Sequence, residues 1–149
     1  MSTISPTSLT HTVASINRSA ALDLLQAARA ASTVIGIEVT IAITDAGGHL
    51  TALERSDIAP FLTVNVAIDK AWSAVSFGLP THVWSSILQN NAVAQLAHQP
   101  RLVAVGGGYP IIKNGQVVGG IGISGGNALQ DQQAAEAALK ALGFDLLAN

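Results

Sequence analysis

Apolar residues along the chain recur at two different spacings, one helical and one of short β-branched runs, and the switches between them mark the elements. Ala20, Ala21, Leu24, Leu25 and Ala28 keep helical spacing behind a capping Asn17, with Asp23, Gln26 and Arg29 on the other side and Gly36 as the stop. Residues 39–43 are rich in β-branched side chains, the turn Asp45-Ala46-Gly47-Gly48 follows, and residues 49–55 return as a second strand. After Pro60, Val64, Ala67, Ile68, Ala71, Trp72 and Val75 form one stripe of a second helix, leaving Asn65, Asp69, Lys70 and Ser73 off it until Gly78 and Pro80 end it. Thr81 is placed to cap a short third helix over 83–88, and a polar passage leads to Pro100. Residues 102–105 read as a short strand. A second hairpin joins Ile111-Ile112 to 117–124 around the turn 113–116. The alanine-rich stretch 128–142 is the last helix, with Asp131 in its first turn, Lys140 in its last and Gly143 beyond it. Two hairpins flanked by helices predict an antiparallel α+β sandwich.

Composition changes this picture in one respect. The chain has 149 residues, of which 49% are hydrophobic and 11% charged, a high apolar share for the surface of a small domain. It is read as a single domain over 1–149, with 1–16 an N-terminal extension, whose surplus apolar surface is buried in a homo-oligomer, a dimer or larger. A net charge of -2 with scattered cations argues against nucleic acid. Cysteine is absent, which removes thiolate chemistry, and no apolar run reaches the roughly 18 residues of a membrane span. The first cation is Arg18, with no basic region or continuous apolar run before it, so the chain reads as mature and cytoplasmic.

Candidate chemistry concentrates in two places. Residues 106–131 hold nine of the 14 glycines, and Ser124-Gly125-Gly126-Asn127 joins the last strand to the last helix. Backbone amides exposed there form either an anion site or a capped tight turn. Gly120, Gly122 and Gly125 spell G-x-G-x-x-G, but the first two interrupt an apolar strand instead of following it, which disfavours a dinucleotide site. Glu54, Arg55, Asp57, Asp69 and Lys70 gather five of the 16 charged residues, either as a carboxylate-binding cluster or as surface ion pairs. The four histidines lack zinc spacing. An imidazole, or Tyr109 once deprotonated, is able to ligate a haem iron, and among the histidines His82, beside a helix start, and His49, beside the first hairpin turn, are the better pair. Trp72, Trp84 and Phe77 read as core or interface anchors. Ser124 lacks the G-x-S-x-G elbow of a serine hydrolase.

Several segments together resemble the GlcG/HbpS family of haem-degrading domains, which includes the C-terminal domain of PduO-type proteins. They are VTIAITDAGGHL (39–50), ERSDIAP (54–60), DKA (69–71), Phe77-Gly78, 107–110 and above all GQVVGGIGISGGNALQD (115–131). The resemblance implies a profilin-like fold, with a five-stranded antiparallel sheet between helices in α/β/α layers, and oligomeric assembly. It also implies a pocket near the Asp45 turn, Arg55, Lys70 and Ser124, Gly125, Gly126 and Asn127. One function follows from haem-binding members: a cytoplasmic oligomeric haem-binding protein promoting oxidative haem breakdown, in which Arg55, Lys70 and the amides of 124–127 hold the propionates and His82 or His49 the iron. The alternative is an enzyme or accessory protein of carboxylate, glycolate or aromatic catabolism, in which the same groups hold a small anionic ligand and Asp57, Asp69 or His82 moves a proton.

Overall fold

The computed structural model describes residues 8–147; the first seven residues of the expected N-terminal extension lie outside it. The elements run α1 (Arg18–Ile35), β1 (Thr40–Asp45), β2 (Leu50–Arg55), α2 (Leu62–Phe77), α3 (Thr81–Ile87), a 3-10 turn (Ala94–His98), β3 (Gly108–Lys113), β4 (Gln116–Ser124) and α4 (Ala128–Ala141). The strands form one antiparallel sheet in the order β2-β1-β4-β3. Among the described residues it has four strands where the family resemblance implied five.

Strand alternation sorts β4 onto two faces. Ile121 and Ile123 join Ile41, Ile43 and Ile111 in the main core, beneath Leu24, Leu25 and Ala28 of α1 and Ala134, Ala135, Ala138 and Leu139 of α4. On the other face Gly120 and Gly122 lie against the backbone of α2 at Ala67 and Ala71. A Cβ at Gly122 would overlap the Ala67 carbonyl oxygen, so glycine here is demanded by helix-to-sheet distance. The result is a sheet layered between α1 and α4 on one side and α2 on the other.

Asn17 caps α1 as expected, its Oδ1 accepting from the Ala20 amide at 2.8 Å. The segment before it is also tied down, since the Ile16 amide donates to the Val118 carbonyl at 2.8 Å. Three expectations change. Residues 102–105 are not a strand, because hydroxyls take over part of the hydrogen bonding a ladder would supply: the Val103 amide donates to Ser73 Oγ at 3.0 Å, and Thr81 Oγ1 donates to the Val105 carbonyl at 2.6 Å. Thr81 therefore does not cap α3; Pro80 takes that position, and the Thr81 hydroxyl also accepts from the Gly108 amide at 2.9 Å. Lys70 and Ser73, off the apolar stripe of α2, are buried, because α2 has the sheet on one side and the 101–107 loop on another.

Candidate functional site: the His82 cleft

Residues three apart on a helix share a face, so His82 and Ser85 point the same way from the short helix α3. They line a cleft of about 390 Å³ together with Ala104, Val105 and Gly106 of the loop and Ala128, Leu129 and Gln132 of α4. Small-molecule sites commonly fall between about 300 and 1,000 Å³. Gly106 lets the loop lie against α4: a Cβ there would come within 2.9 Å of the Ala128 carbonyl oxygen. Four of the eight lining residues are alanine, valine or leucine, which makes the walls apolar around a few polar groups.

Those polar groups are connected behind the wall. The His82 ring is tilted against Tyr109, with centroids 5.6 Å apart, and its Nδ1 is buried without a hydrogen-bond partner among the described residues. The Tyr109 hydroxyl donates to Glu136, and Gln132 Nε2 donates to the same Glu136 oxygen at 3.1 Å. Burial, then the Glu136 carboxylate, raises the Tyr109 phenol well above its usual pKa. Tyr109 is thus a neutral donor to Glu136 in this structure. Gln132, Glu136 and Ser85 escaped the sequence reading. The spacing of four between Gln132 and Glu136 on an alanine-rich helix was the available signal.

The glycine turn is organised from inside the protein. Asp131 Oδ1 accepts from the Gly126 amide at 2.8 Å, and its Oδ2 receives Lys70 Nζ at 3.1 Å. Lys70 also donates to the Ile123 carbonyl at 2.9 Å. Burial lowers the Lys70 pKa against the opposing attraction of Asp131, and burial raises that of Asp131 against the opposing charge of Lys70. The Asn127 side chain accepts from the Gln130 amide at 2.8 Å while the Asn127 amide donates to Gln130 Oε1 at 3.0 Å, a capping box. The Gly126 and Asn127 amides, candidates for an external anion, are thus engaged by the chain's own side chains. Ser124 is buried at the end of β4.

The charged cluster inferred from sequence is dispersed. Glu54 pairs with Arg29 of α1, and Asp69 pairs with Arg101 at 2.8 Å, whose guanidinium lies 4.5 Å from the centre of the Trp72 ring. Arg55 Nη1 donates to the Ala59 carbonyl at 2.9 Å and to that of Ser56 at 3.2 Å, clamping its own loop, while Asp57 is exposed. Asp45 Oδ1 accepts from the Gly47 and His49 amides at 2.9 Å each and approaches the exposed His49 ring at 3.1 Å. Of the site residues inferred from sequence, His82 alone lines the cleft. Among the described residues no three His, Asp or Glu side chains group as a metal site, and no helix is long and apolar enough to cross a membrane.

Comparison with known proteins agrees with this α+β architecture. The family model for HbpS-like haem-degrading proteins matches residues 16–140. An uncharacterised 15.0 kDa protein encoded between dhaT and dhaS in Citrobacter freundii is 35% identical over 130 residues, covering 85% of this chain and 92% of that one. The corrinoid adenosyltransferase PduO of the same organism is 35% identical over 122 residues, 80% of this chain but only 36% of that enzyme. The crystal structure of a PduOC:haem complex superposes with a TM-score of 0.81 at 30% identity, covering 88% of this chain and 97% of that one. The chain belongs to the HbpS-like haem-degrading protein family, related to GlcG and to the PduO C-terminal domain.

Proposed function

We propose that this protein binds haem in the His82 cleft as a cytoplasmic homo-oligomer. The observation that carries the reading is an imidazole lining an apolar-walled cleft, in a fold whose relative PduOC was crystallised with haem. Ala104, Val105, Ala128 and Leu129 suit contact with a macrocycle, and His82 is the iron ligand. When bound, haem supplies the redox chemistry of its iron. Lys70 serves the site from behind, by holding Asp131 and the glycine turn, and not by touching a propionate. With no acceptor beside Nδ1 among the described residues, the ring lacks the second hydrogen bond that usually strengthens a metal-bound imidazole, so the iron bond is expected to be weak. Self-association is supported by Phe61 and Phe77, which are 89% and 73% exposed, and sedimentation of a stable micromolar monomer would count against it.

Haemin titration tests the reading. A saturable, stoichiometric Soret band is expected in the parent, and His82→Ala should shift that band and weaken binding about tenfold. Binding no tighter than to a generic apolar surface would sink it. Loss of the band in air with a reductant, faster than for albumin-bound haemin, would support a part in haem breakdown.

The orphaned Nδ1 favours a second reading. A neutral ring that leaves its buried nitrogen unprotonated carries its proton on Nε2, and with Ser85 offers donors to a small carboxylate. Small carboxylates that bind the parent and displace haemin would support this use of the same cleft.

A further inference from the structure

Gln132 stands four residues after Ala128 on α4 and so shares the face that walls the His82 cleft. Its amide is held from one side. Nε2 donates to Glu136 Oε1 at 3.1 Å, and the Tyr109 hydroxyl donates to the same oxygen. An ionised carboxylate only accepts hydrogen bonds, so the amide nitrogen has to face Glu136 and the amide oxygen has to face away from it.

That oxygen is turned to the cleft. It lies 3.4 Å from the point where a Cβ of Gly106, a neighbour in the cleft wall, would stand. It accepts from no described group and, unlike His82 Nδ1, it is not buried, so a ligand in the cleft can reach it. The α3 side of the cleft carries His82 and Ser85, whose ring N–H and hydroxyl are donors. No lysine or arginine is among the lining residues. The polar groups of the cleft are thus neutral donors on α3 and one neutral acceptor on α4, set among apolar side chains.

We infer that Gln132 is a specificity-determining residue of the cleft, reading a hydrogen-bond donor on the ligand, and that Glu136 is the residue that positions it. The inference rests on the small-carboxylate reading of the cleft and narrows it to carboxylates that carry a neutral N–H or O–H donor on an apolar body. The carboxylate takes the His82 and Ser85 donors, and the ligand's own donor takes Gln132 Oε1. A carboxylate without such a donor leaves that oxygen to water and, with no cation to hold it, keeps only its bonds to neutral donors.

Meta- and para-aminobenzoate, each compared with the toluate that carries a methyl group in place of the amine, keep ring, charge and shape while the N–H donor is removed. In calorimetric titrations at least one aminobenzoate is expected to bind the parent about 2- to 12-fold more tightly than its toluate, the span of a neutral hydrogen bond. His82→Ala should weaken every probe and leave the preference standing. Gln132→Met, which keeps the length of the side chain and loses its acceptor, should abolish the preference and leave the toluates unaffected. Glu136→Gln offers Gln132 a donor as well as an acceptor, so its amide is free to turn and the preference should shrink; an unchanged preference overturns the positioning role. Equal binding of both members of each pair, or a preference that survives Gln132→Met, overturns the inference while the carboxylate reading stands. If no probe binds, or if His82→Ala leaves every probe unaffected, the carboxylate reading falls and the inference with it. Should Gln132→Met fail to fold, Gln132→Ala, which removes the same oxygen and suits a helix, takes its place.

Discussion

Lys70 Nζ and Asp131 Oδ2 meet at 3.1 Å with their side chains 2% and 3% exposed, joining α2 to the first turn of α4 behind the end of β4. The same two side chains hold the Ile123 carbonyl and the Gly126 amide, so one ion pair organises the strand end and the glycine turn. Breaking such a pair strands a charge, whereas neutralising both partners does not.

Lys70→Met should therefore destabilise the fold by about 3–5 kcal/mol, and adding Asp131→Asn should restore part of that loss. Urea unfolding of the two variants measures the difference. Equal stability of the single and double variants would mean that the buried charge is not the source of the penalty.

Two glycines should behave in opposite ways. Gly115, at φ 75°, has open space where a Cβ would go, so Gly115→Ala should cost only the backbone penalty of about 1–2 kcal/mol. Gly122→Ala drives a methyl into the Ala67 carbonyl and should cost more than about 3 kcal/mol or prevent folding. Soluble yield and denaturant midpoints check both.

Tyr109 is the chain's one tyrosine, so its ionisation can be read directly by ultraviolet absorbance. At pH 11 an ordinary phenol is about 90% ionised, but Tyr109 should remain protonated while the fold persists, because burial and then Glu136 raise its pKa. Tyrosinate absorbance should emerge together with unfolding. Its appearance in the folded protein near pH 10 would contradict the buried Tyr109–Glu136 contact.

Asp45 gives an acid-side prediction. Its pKa is lowered from 3.8: burial acts upward but is outweighed by the His49 and Gly47 amides and the His49 ring. The unfolded chain then binds more protons here than the folded one, so this contribution is full above the ordinary carboxylate pKa and is lost as pH falls through the folded value. The stability gap between the parent and Asp45→Ala should shrink as pH falls below about 5. A gap independent of pH down to about 2 would show that the carboxylate charge contributes nothing to the turn.

Local rules were legible in the chain wherever neighbours in sequence settle the outcome. Asn17 caps, Gly36 and Gly78 adopt the left-handed conformation that closes their helices, and both hairpins form where turn residues separate β-branched runs. Motif order carried the family assignment, and the density of glycine between 106 and 126 marked the region where backbones approach one another. Tertiary structure alone decided what the charged and polar residues do. Lys70 looked like a free cation because helical periodicity reports one apolar stripe, and α2 is covered on more than one side. The sequence also could not reveal that Asp131 would engage the Gly126 amide, or that Tyr109, Gln132 and Glu136 would gather behind His82. Capping and turn formation depend on residues a few positions apart, whereas a buried ion pair or a cleft depends on which distant segments the sheet brings within a few ångströms.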